Sequence, residues 1–93
     1  MDIIINNIKY EIVEDNKDAI DKELLQEKIT DYFDDYDYIL GDWAYGKLRL
    51  KGFNDKNNKK FKSLNDIKGV KKYIQDNCAY GCRYFILKRI EKK

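Results

Sequence analysis

The sequence contains no histidine and no proline, and its 93 residues include only two cysteines. Without histidine, the chain lacks the commonest general base, the usual catalytic pairs of serine and cysteine proteases and the ligand of most zinc sites. Neither the Walker nor the Rossmann glycine-rich phosphate-binding motif occurs. These absences exclude the enzyme classes that depend on such groups, and we expect a noncatalytic protein that needs no cofactor and no metal.

Long apolar runs are also missing. No stretch approaches the roughly 18 apolar residues of a membrane span, so we predict no association with a membrane. The N-terminus does not resemble a signal peptide, because the apolar residues 3–5 are followed at once by Asn6 and Asn7. Two cysteines without an export signal indicate a reducing compartment and free thiols. We therefore predict a cytoplasmic protein.

The two cysteines, Cys78 and Cys82, are separated by three residues. Two thiolates supply half of the four ligands that a structural zinc ion requires, so no complete zinc site is expected within one chain. Two interpretations remain open. The cysteines are either small side chains packed where the second helix turns into the last strand, or a redox pair or half of a zinc site shared across a dimer.

Apolar and charged residues are both abundant, at 43% and 39% of the chain. A chain of 93 residues has the size of one domain and buries roughly 60% of its unfolded surface in a single core. We therefore predict one domain over residues 1–93, with a densely charged surface.

The charges are distributed unevenly. Residues 1–46 hold thirteen acidic residues and four lysines, a net charge of −9, whereas residues 47–93 hold fifteen lysines and arginines and four acidic residues, a net charge of +11. Together they give the net charge of +2. Either an acidic and a basic helix neutralise each other on one sheet, or a basic face binds phosphate while an acidic face turns away from it.

The first part of the chain predicts a hairpin followed by a helix. Residues 3–13 contain two β-branched runs joined by Asn6 and Asn7, a pair that tolerates the positive φ angles of a tight turn. Apolar residues then recur with helical spacing as far as Tyr36, and Asp18 is the predicted N-cap of this helix.

The second part predicts another hairpin and another helix. Residues 36–40 and 47–53 have strand-like patterns, and we expect a long loop bounded by glycines over residues 41–46 between them. A helix is predicted from the N-cap Ser63 to Asn77, after a polar, lysine-rich loop.

Residues 83–90 form an apolar, aromatic run that is typical of a well-covered strand. The predicted order is therefore ββαββαβ. Hairpin-linked strands with interspersed helices indicate the α+β class, with a mostly antiparallel sheet and two amphipathic helices packed on one face of it.

The most distinctive segment places aromatic residues next to a basic strand. Such residues could stack on unpaired bases while the cations contact phosphate, and the lysines of the second helix could extend this surface. Trp43 could instead fold back onto the core, the glycines merely permitting the turn. The candidate binding residues are Trp43, Tyr45, Lys47, Arg49, Lys51, Lys68, Lys71 and Lys72.

From this segment we predict a binding module for RNA or a ribonucleoprotein. The alternative is a protein-interaction adaptor that uses the Trp43 loop as a hydrophobic anchor. A third hypothesis is a small Mg²⁺-dependent enzyme that uses Asp37 and Asp42 from a run of closely spaced carboxylates. A solvated acidic surface accounts for those carboxylates more simply.

Two further stretches have distinctive sequences, YDYILGDWAYGKLRLKGF at residues 36–53 and CAYGCRYFIL at residues 78–87. They resemble the two signature blocks of the YutD-like family of bacterial proteins, and the similarity in order and spacing covers most of the chain. The resemblance implies a small cytoplasmic protein whose family function would involve residues 41–53 and the turn at 78–82. It implies no substrate, cofactor or catalytic residue. Ala44 stands where a glycine is expected.

Overall fold

The computed structural model of the chain describes residues 1–77 and 83–90. In this part of the chain the elements are β1 (Asp2–Ile5), β2 (Ile8–Asn16), α1 (Lys22–Lys28), β3 (Tyr38–Ala44), β4 (Lys47–Phe53), α2 (Val70–Asn77) and β5 (Tyr84–Arg89). Short 3-10 turns occupy Asp31–Asp35, Ser63–Asn65 and Ile67–Gly69. The strands form one sheet accompanied by helices, so the predicted α+β class is confirmed.

The strands are arranged in the order β1-β2-β5-β3-β4, and every adjacent pair is antiparallel. The last strand of the chain is thus the central strand of the sheet. Its consecutive residues Phe85, Ile86 and Leu87 are all buried, which requires cover on both faces. β1 and β4 lie at the two edges.

The first hairpin agrees with the prediction. Ile5 and Ile8 pair across the turn, and the two residues between them, Asn6 and Asn7, have φ angles of 53° and 69°. These are the left-handed conformations that a two-residue hairpin turn of this type requires.

The second hairpin differs from the prediction, because the expected long loop over residues 41–46 is wrong. β3 continues to Ala44, and the turn consists of Tyr45 and Gly46 alone. Gly41 lies inside the strand, where a Cβ atom would stand 2.1 Å from Cζ of Phe85. This glycine is therefore explained by an aromatic ring packed on the backbone, not by a turn.

The first helix is shorter than predicted. Asp21, not Asp18, is its N-cap, with a side chain that accepts a hydrogen bond from the Leu24 amide. The helix ends at Lys28, because Ile29 and Thr30 both have extended backbones. The apolar spacing continues through a separate 3-10 turn, so periodicity alone overestimated the length of the helix.

The second helix begins later than predicted, and Ser63 is not its N-cap. Asn54, directly after β4, exchanges two backbone hydrogen bonds with the segment around Asp66: its amide donates to Asn65 O at 2.7 Å, and Ile67 N donates to its carbonyl at 3.0 Å. This bridge holds Asp66 in an extended conformation between two 3-10 turns, which delays the helix to Val70.

The two helices pack on opposite faces of the sheet, so the prediction of one shared face is wrong. Leu25 of α1 belongs to a cluster with Phe85 and Leu87, whereas Val70 of α2 belongs to a second cluster with Ile86. Successive side chains of a strand point to opposite faces, so these clusters lie on different sides. A central strand that is apolar on both faces needs a helix over each. We call the two sides the α1 face and the α2 face.

An irregularity in β2 changes which side chains reach the α2 face. Ile12 pairs with Leu87, but Glu14 pairs with the adjacent residue Ile86, so one extra residue, Val13, is inserted at this point. Beyond such a bulge, the side chains that would have pointed to one face of the sheet point to the other. Glu14 consequently points to the α2 face.

No helix within residues 1–77 and 83–90 is long and apolar enough to cross a membrane. The predictions for Cys78 and Cys82 fall outside the described residues.

Candidate functional site

The tip of the β3–β4 hairpin holds an aromatic side chain in solvent. Tyr45 and Gly46 have φ angles of 54° and 76°, which close a two-residue turn. The Tyr45 side chain is fully exposed. Lys47 follows it, exposed and without an ion pair to any residue in the described ranges. The tip therefore presents one aromatic ring and one cation on a short turn.

Trp43 lies two residues before the tip but faces the other way. It is half-buried against the cluster on the α1 face, and its indole Nε1 donates a hydrogen bond to Ala19 O at 2.8 Å. The guanidinium carbon of Arg83 lies 4.9 Å from the centroid of its ring. Trp43 thus folds back onto the core, which was one of the two interpretations of the sequence.

Arg49 is held in place by a nearly buried carboxylate. Its Nε and Nη2 donate to the two oxygens of Asp42 at 3.1 and 2.6 Å, and Nη2 also donates to Asn77 O at the end of α2, at 3.1 Å. The hydrogen bond to Asp42 raises the pKa of the Arg49 guanidinium. Part of the positive charge of β4 is therefore compensated within the protein.

Lys51 is half-buried, and its ammonium lies close to two aromatic rings. Nζ is 5.5 Å from the centroid of Phe53 and 5.4 Å from that of Tyr73 on α2. Cation–π contacts of this kind stabilise the charge of the ammonium.

The three candidate lysines near or on α2 have different surroundings. Lys71 forms an ion pair with Glu14, and this hydrogen bond raises the pKa of Lys71. Lys72 pairs with Asp76 one turn along the helix, at 3.3 Å. Lys68, in the 3-10 turn before α2, is exposed and forms no ion pair with a described residue.

The structure brings together only part of the predicted set. Alternation along β4 places Lys47, Arg49 and Lys51 in one line on the α2 face, and we call these three residues the basic row. Tyr45 stands at one end of the basic row. Trp43 belongs to the α1 face and does not join it.

The carboxylates of the enzyme hypothesis have structural partners. Asp42 binds Arg49, and Asp37 accepts a hydrogen bond from the Asp55 amide at 3.0 Å. Asp34 pairs with Arg89 at 3.1 Å. Within residues 1–77 and 83–90, no three Asp, Glu, Cys or His side chains are grouped to hold a metal ion.

The lysine-rich loop after β4 is tied down by asparagines. Asn54 is fully buried, and its side-chain oxygen accepts hydrogen bonds from Asp37 N at 2.8 Å and from Asn58 Nδ2 at 3.1 Å. A cleft of about 540 Å³ lies beside this loop and is lined by acidic and basic side chains together, including Lys59 and Arg89.

Sequence reasoning missed Asp42, Glu14 and Asn54 as partners of the candidate residues. A two-residue turn at Tyr45 and Gly46 would have placed Asp42 opposite Arg49, so this pair was open to prediction. The contact between Glu14 and α2 depends on a bulge, and the role of Asn54 depends on a chain segment eleven residues away. Neither leaves a local signal.

Comparison with known proteins gives concordant results. The family described as "Putative antitoxin YutD-like" matches residues 4–88. A Bacillus subtilis (strain 168) protein described as "Putative antitoxin YutD" is 44% identical over 90 residues, which are 97% of this chain and 99% of that protein. The solution NMR structure of protein yutD from B. subtilis is similar with a TM-score of 0.78 and 43% identity, over 99% of this chain and 84% of that one.

Proposed function

This chain belongs to the YutD-like family, and we propose that it is a noncatalytic binding protein whose partner is another protein. The contact surface is the end of the β3–β4 hairpin together with the exposed side of β4. Tyr45, in place of Trp43, is the aromatic anchor.

The exposure of Tyr45 carries this proposal. A tyrosine that is fully exposed on a two-residue turn between two paired strands is held with little freedom of the backbone. Rigid aromatic side chains of this kind are enriched among the residues that contribute most to protein interfaces. Lys47, two residues further along the chain, supplies a cation without an ion pair in the described part of the chain.

The description of the Bacillus subtilis relative as a putative antitoxin supports a protein partner. An antitoxin neutralises a toxin, and a small protein without histidine can do so by covering the surface that the toxin needs. The partner of this chain would then be a protein that inhibits growth when it is produced alone.

RNA is the alternative partner, through the eight residues predicted from the sequence. Trp43 has its indole N–H bound to Ala19, and three of the candidate cations, Arg49, Lys71 and Lys72, have carboxylate partners. Binding of RNA would have to break these contacts, which reduces the affinity available. The protein partner is therefore the better supported of the two.

Photo-crosslinking from the hairpin tip tests the proposal. The chain would carry p-benzoylphenylalanine in place of Tyr45 and, as a matched control, in place of Glu27 on the exposed side of α1. We expect one protein adduct from position 45 in cells that is absent from position 27. The purified partner should bind the unmodified chain and should bind the Tyr45→Ala variant about tenfold more weakly.

The alternatives give different outcomes. Adducts at position 45 that contain RNA and disappear with nuclease would show that the partner is RNA and would refute a protein partner. The same adducts from both positions, or none, would refute the proposed surface. If the partner is a toxin, its expression should arrest growth, and coexpression of this chain but not of Tyr45→Ala should restore it.

A further inference from the structure

We propose that the edge of β4 binds its partner by strand addition, and that the added segment alternates acidic and apolar residues. This inference rests on the proposed function, because it states how the same surface would hold a protein. It concerns the backbone of β4 and the side chains on both of its faces.

The geometry of the hairpin fixes which backbone groups of β4 face outward. Lys47 pairs with Ala44 across a two-residue turn, which makes them a hydrogen-bonded pair, and such pairs recur at every second residue. Leu48, Leu50 and Gly52 therefore direct their N–H and C=O groups away from β3. No described strand lies on that side, and an edge of this kind can pair with another chain.

One segment of the protein already pairs with the continuation of this edge. Asn54, two residues beyond Gly52, bonds through its amide and its carbonyl to Asn65 and Ile67 at 2.7 and 3.0 Å. The backbone N–H and C=O groups of Asn54 thus point away from β3, as the alternation along β4 predicts for Leu48, Leu50 and Gly52. The edge therefore accepts backbone hydrogen bonds from another segment at its end, and the contact is limited to one bridge because 3-10 turns lie on both sides of Asp66.

Two exposed side chains flank the edge. Tyr45 stands at the hairpin end, fully exposed, and Leu64, next to Asn65 at the other end, is 88% exposed. A segment of about seven residues, roughly 23 Å long when extended, would run between them. Both ends of an added strand would thus find an apolar contact.

The charge of β4 selects the side chains of the added strand. On the α2 face it would lie beside the basic row, where Arg49 is already paired with Asp42, so acidic residues would form cross-strand pairs of opposite charge with Lys47 and Lys51. On the α1 face it would lie beside Leu48 and Leu50, which belong to the apolar cluster on that side. The complementary segment therefore alternates Glu or Asp with apolar residues.

The same charges act against pairing with a second copy of this strand. Two β4 edges joined antiparallel would place one basic row directly beside the other, and like charges in facing positions destabilise a sheet. A partner with an acidic strand avoids this repulsion. The basic row thus disfavours pairing with a second copy of β4 and favours pairing with an acidic strand.

The test is an NMR titration of the ¹⁵N-labelled protein with an acetylated, amidated peptide of four Glu-Val repeats. We expect the amides of Leu48, Leu50 and Gly52 to shift and to exchange more slowly with solvent. A peptide of Lys-Val repeats should bind about tenfold more weakly, because the cross-strand pairs become repulsive. Lys47→Glu, at a position without an ion pair in the described ranges, should reduce this preference.

Backbone pairing is separated from contact of side chains by N-methylation. One peptide would be methylated on its Val amides and a second on its Glu amides. In an antiparallel addition the Val amides face β4, and in a parallel one the Glu amides do. We therefore expect one methylated peptide to bind like the parent and the other not to bind.

Three results would overturn the inference: no shifts in β4 at millimolar peptide, equal binding of both methylated peptides, or a dimer of the protein formed through β4. A protein adduct from position 45 combined with any of them would leave the proposed function intact and refute strand addition alone. If the peptide titration gives the expected result but no protein adduct forms from position 45, strand addition at β4 is supported and the proposed function is refuted.

Discussion

The carboxylate of Asp42 and the guanidinium of Arg49 face each other across β3 and β4, joined by hydrogen bonds of 3.1 and 2.6 Å. Their environments differ, since the side chain of Asp42 is 7% exposed and that of Arg49 is 49% exposed. Water can solvate the guanidinium of Arg49 but has little access to the carboxylate of Asp42. Loss of the ion pair is therefore more costly for the carboxylate than for the guanidinium.

We predict that Arg49→Met lowers the free energy of unfolding by about 1–3 kcal/mol, because it leaves the Asp42 carboxylate in a nearly buried place without its guanidinium partner. Methionine keeps most of the apolar stem, so the loss reports the guanidinium group, including its hydrogen bond to Asn77 O. Urea denaturation at neutral pH measures it. Lys47→Met, on the same face of the same strand, is the control and should change stability by no more than about 0.5 kcal/mol. Equal effects of both variants would contradict the assigned role.

Trp43→Phe is expected to lower the free energy of unfolding by about 1–2 kcal/mol. The phenyl ring still lies beside Arg83, but the hydrogen bond from Nε1 to Ala19 O is lost and the carbonyl is left without this donor. Thermal or urea denaturation followed by circular dichroism gives the difference, since the variant has no tryptophan. Tyr45→Phe at the exposed tip should be neutral. If Trp43→Phe left the free energy of unfolding unchanged, the indole would not be packed against the core.

Two glycines should respond oppositely to alanine. In Gly41→Ala the new Cβ would lie 2.1 Å from Cζ of Phe85, a clash that we expect to cost about 2–4 kcal/mol. Nothing lies within 4 Å of the corresponding Cβ at Gly69, so Gly69→Ala should be neutral or slightly stabilising. The double variant Gly41→Ala, Phe85→Leu should recover part of the loss in a double-mutant cycle. Absence of any recovery would place the strain elsewhere.

Stability should depend on pH through Glu14. The hydrogen bond from Lys71, followed by that from Tyr84, lowers the pKa of Glu14 from its ordinary value of 4.5. A carboxyl with a lowered pKa stabilises the fold above its ordinary pKa and loses this contribution as the pH falls through the lowered value. Glu14→Gln should therefore be less stable than the wild type at pH 7, by about 0.5–1 kcal/mol for this partly exposed group.

The difference between the wild type and Glu14→Gln should shrink on acidification below about pH 4.5, as measured by urea denaturation at a series of pH values. Glu27→Gln, exposed on α1 and without an ion pair in the described ranges, should stay within about 0.5 kcal/mol of the wild type at pH 7. A difference for Glu14→Gln that grew toward low pH would have the wrong sign and would refute the assignment.

The sequence by itself determined the features that depend on neighbouring residues. Asn6 and Asn7 close the first hairpin because both tolerate positive φ angles. The apolar pattern of residues 84–89 gives the best-covered strand, and the quoted blocks identified the family. The basic row also follows from sequence, because alternate residues of any strand share a face.

The tertiary structure alone decided which faces those elements use and where they end. The last strand of the chain becomes central, so the two helices are divided between its sides. The bulge after Ile12 carries Glu14 to α2, and the bridge at Asn54 delays that helix. Trp43 turns to the core because Ala19 offers an acceptor there. Each of these outcomes depends on contacts between residues far apart in the chain, which local periodicity does not record.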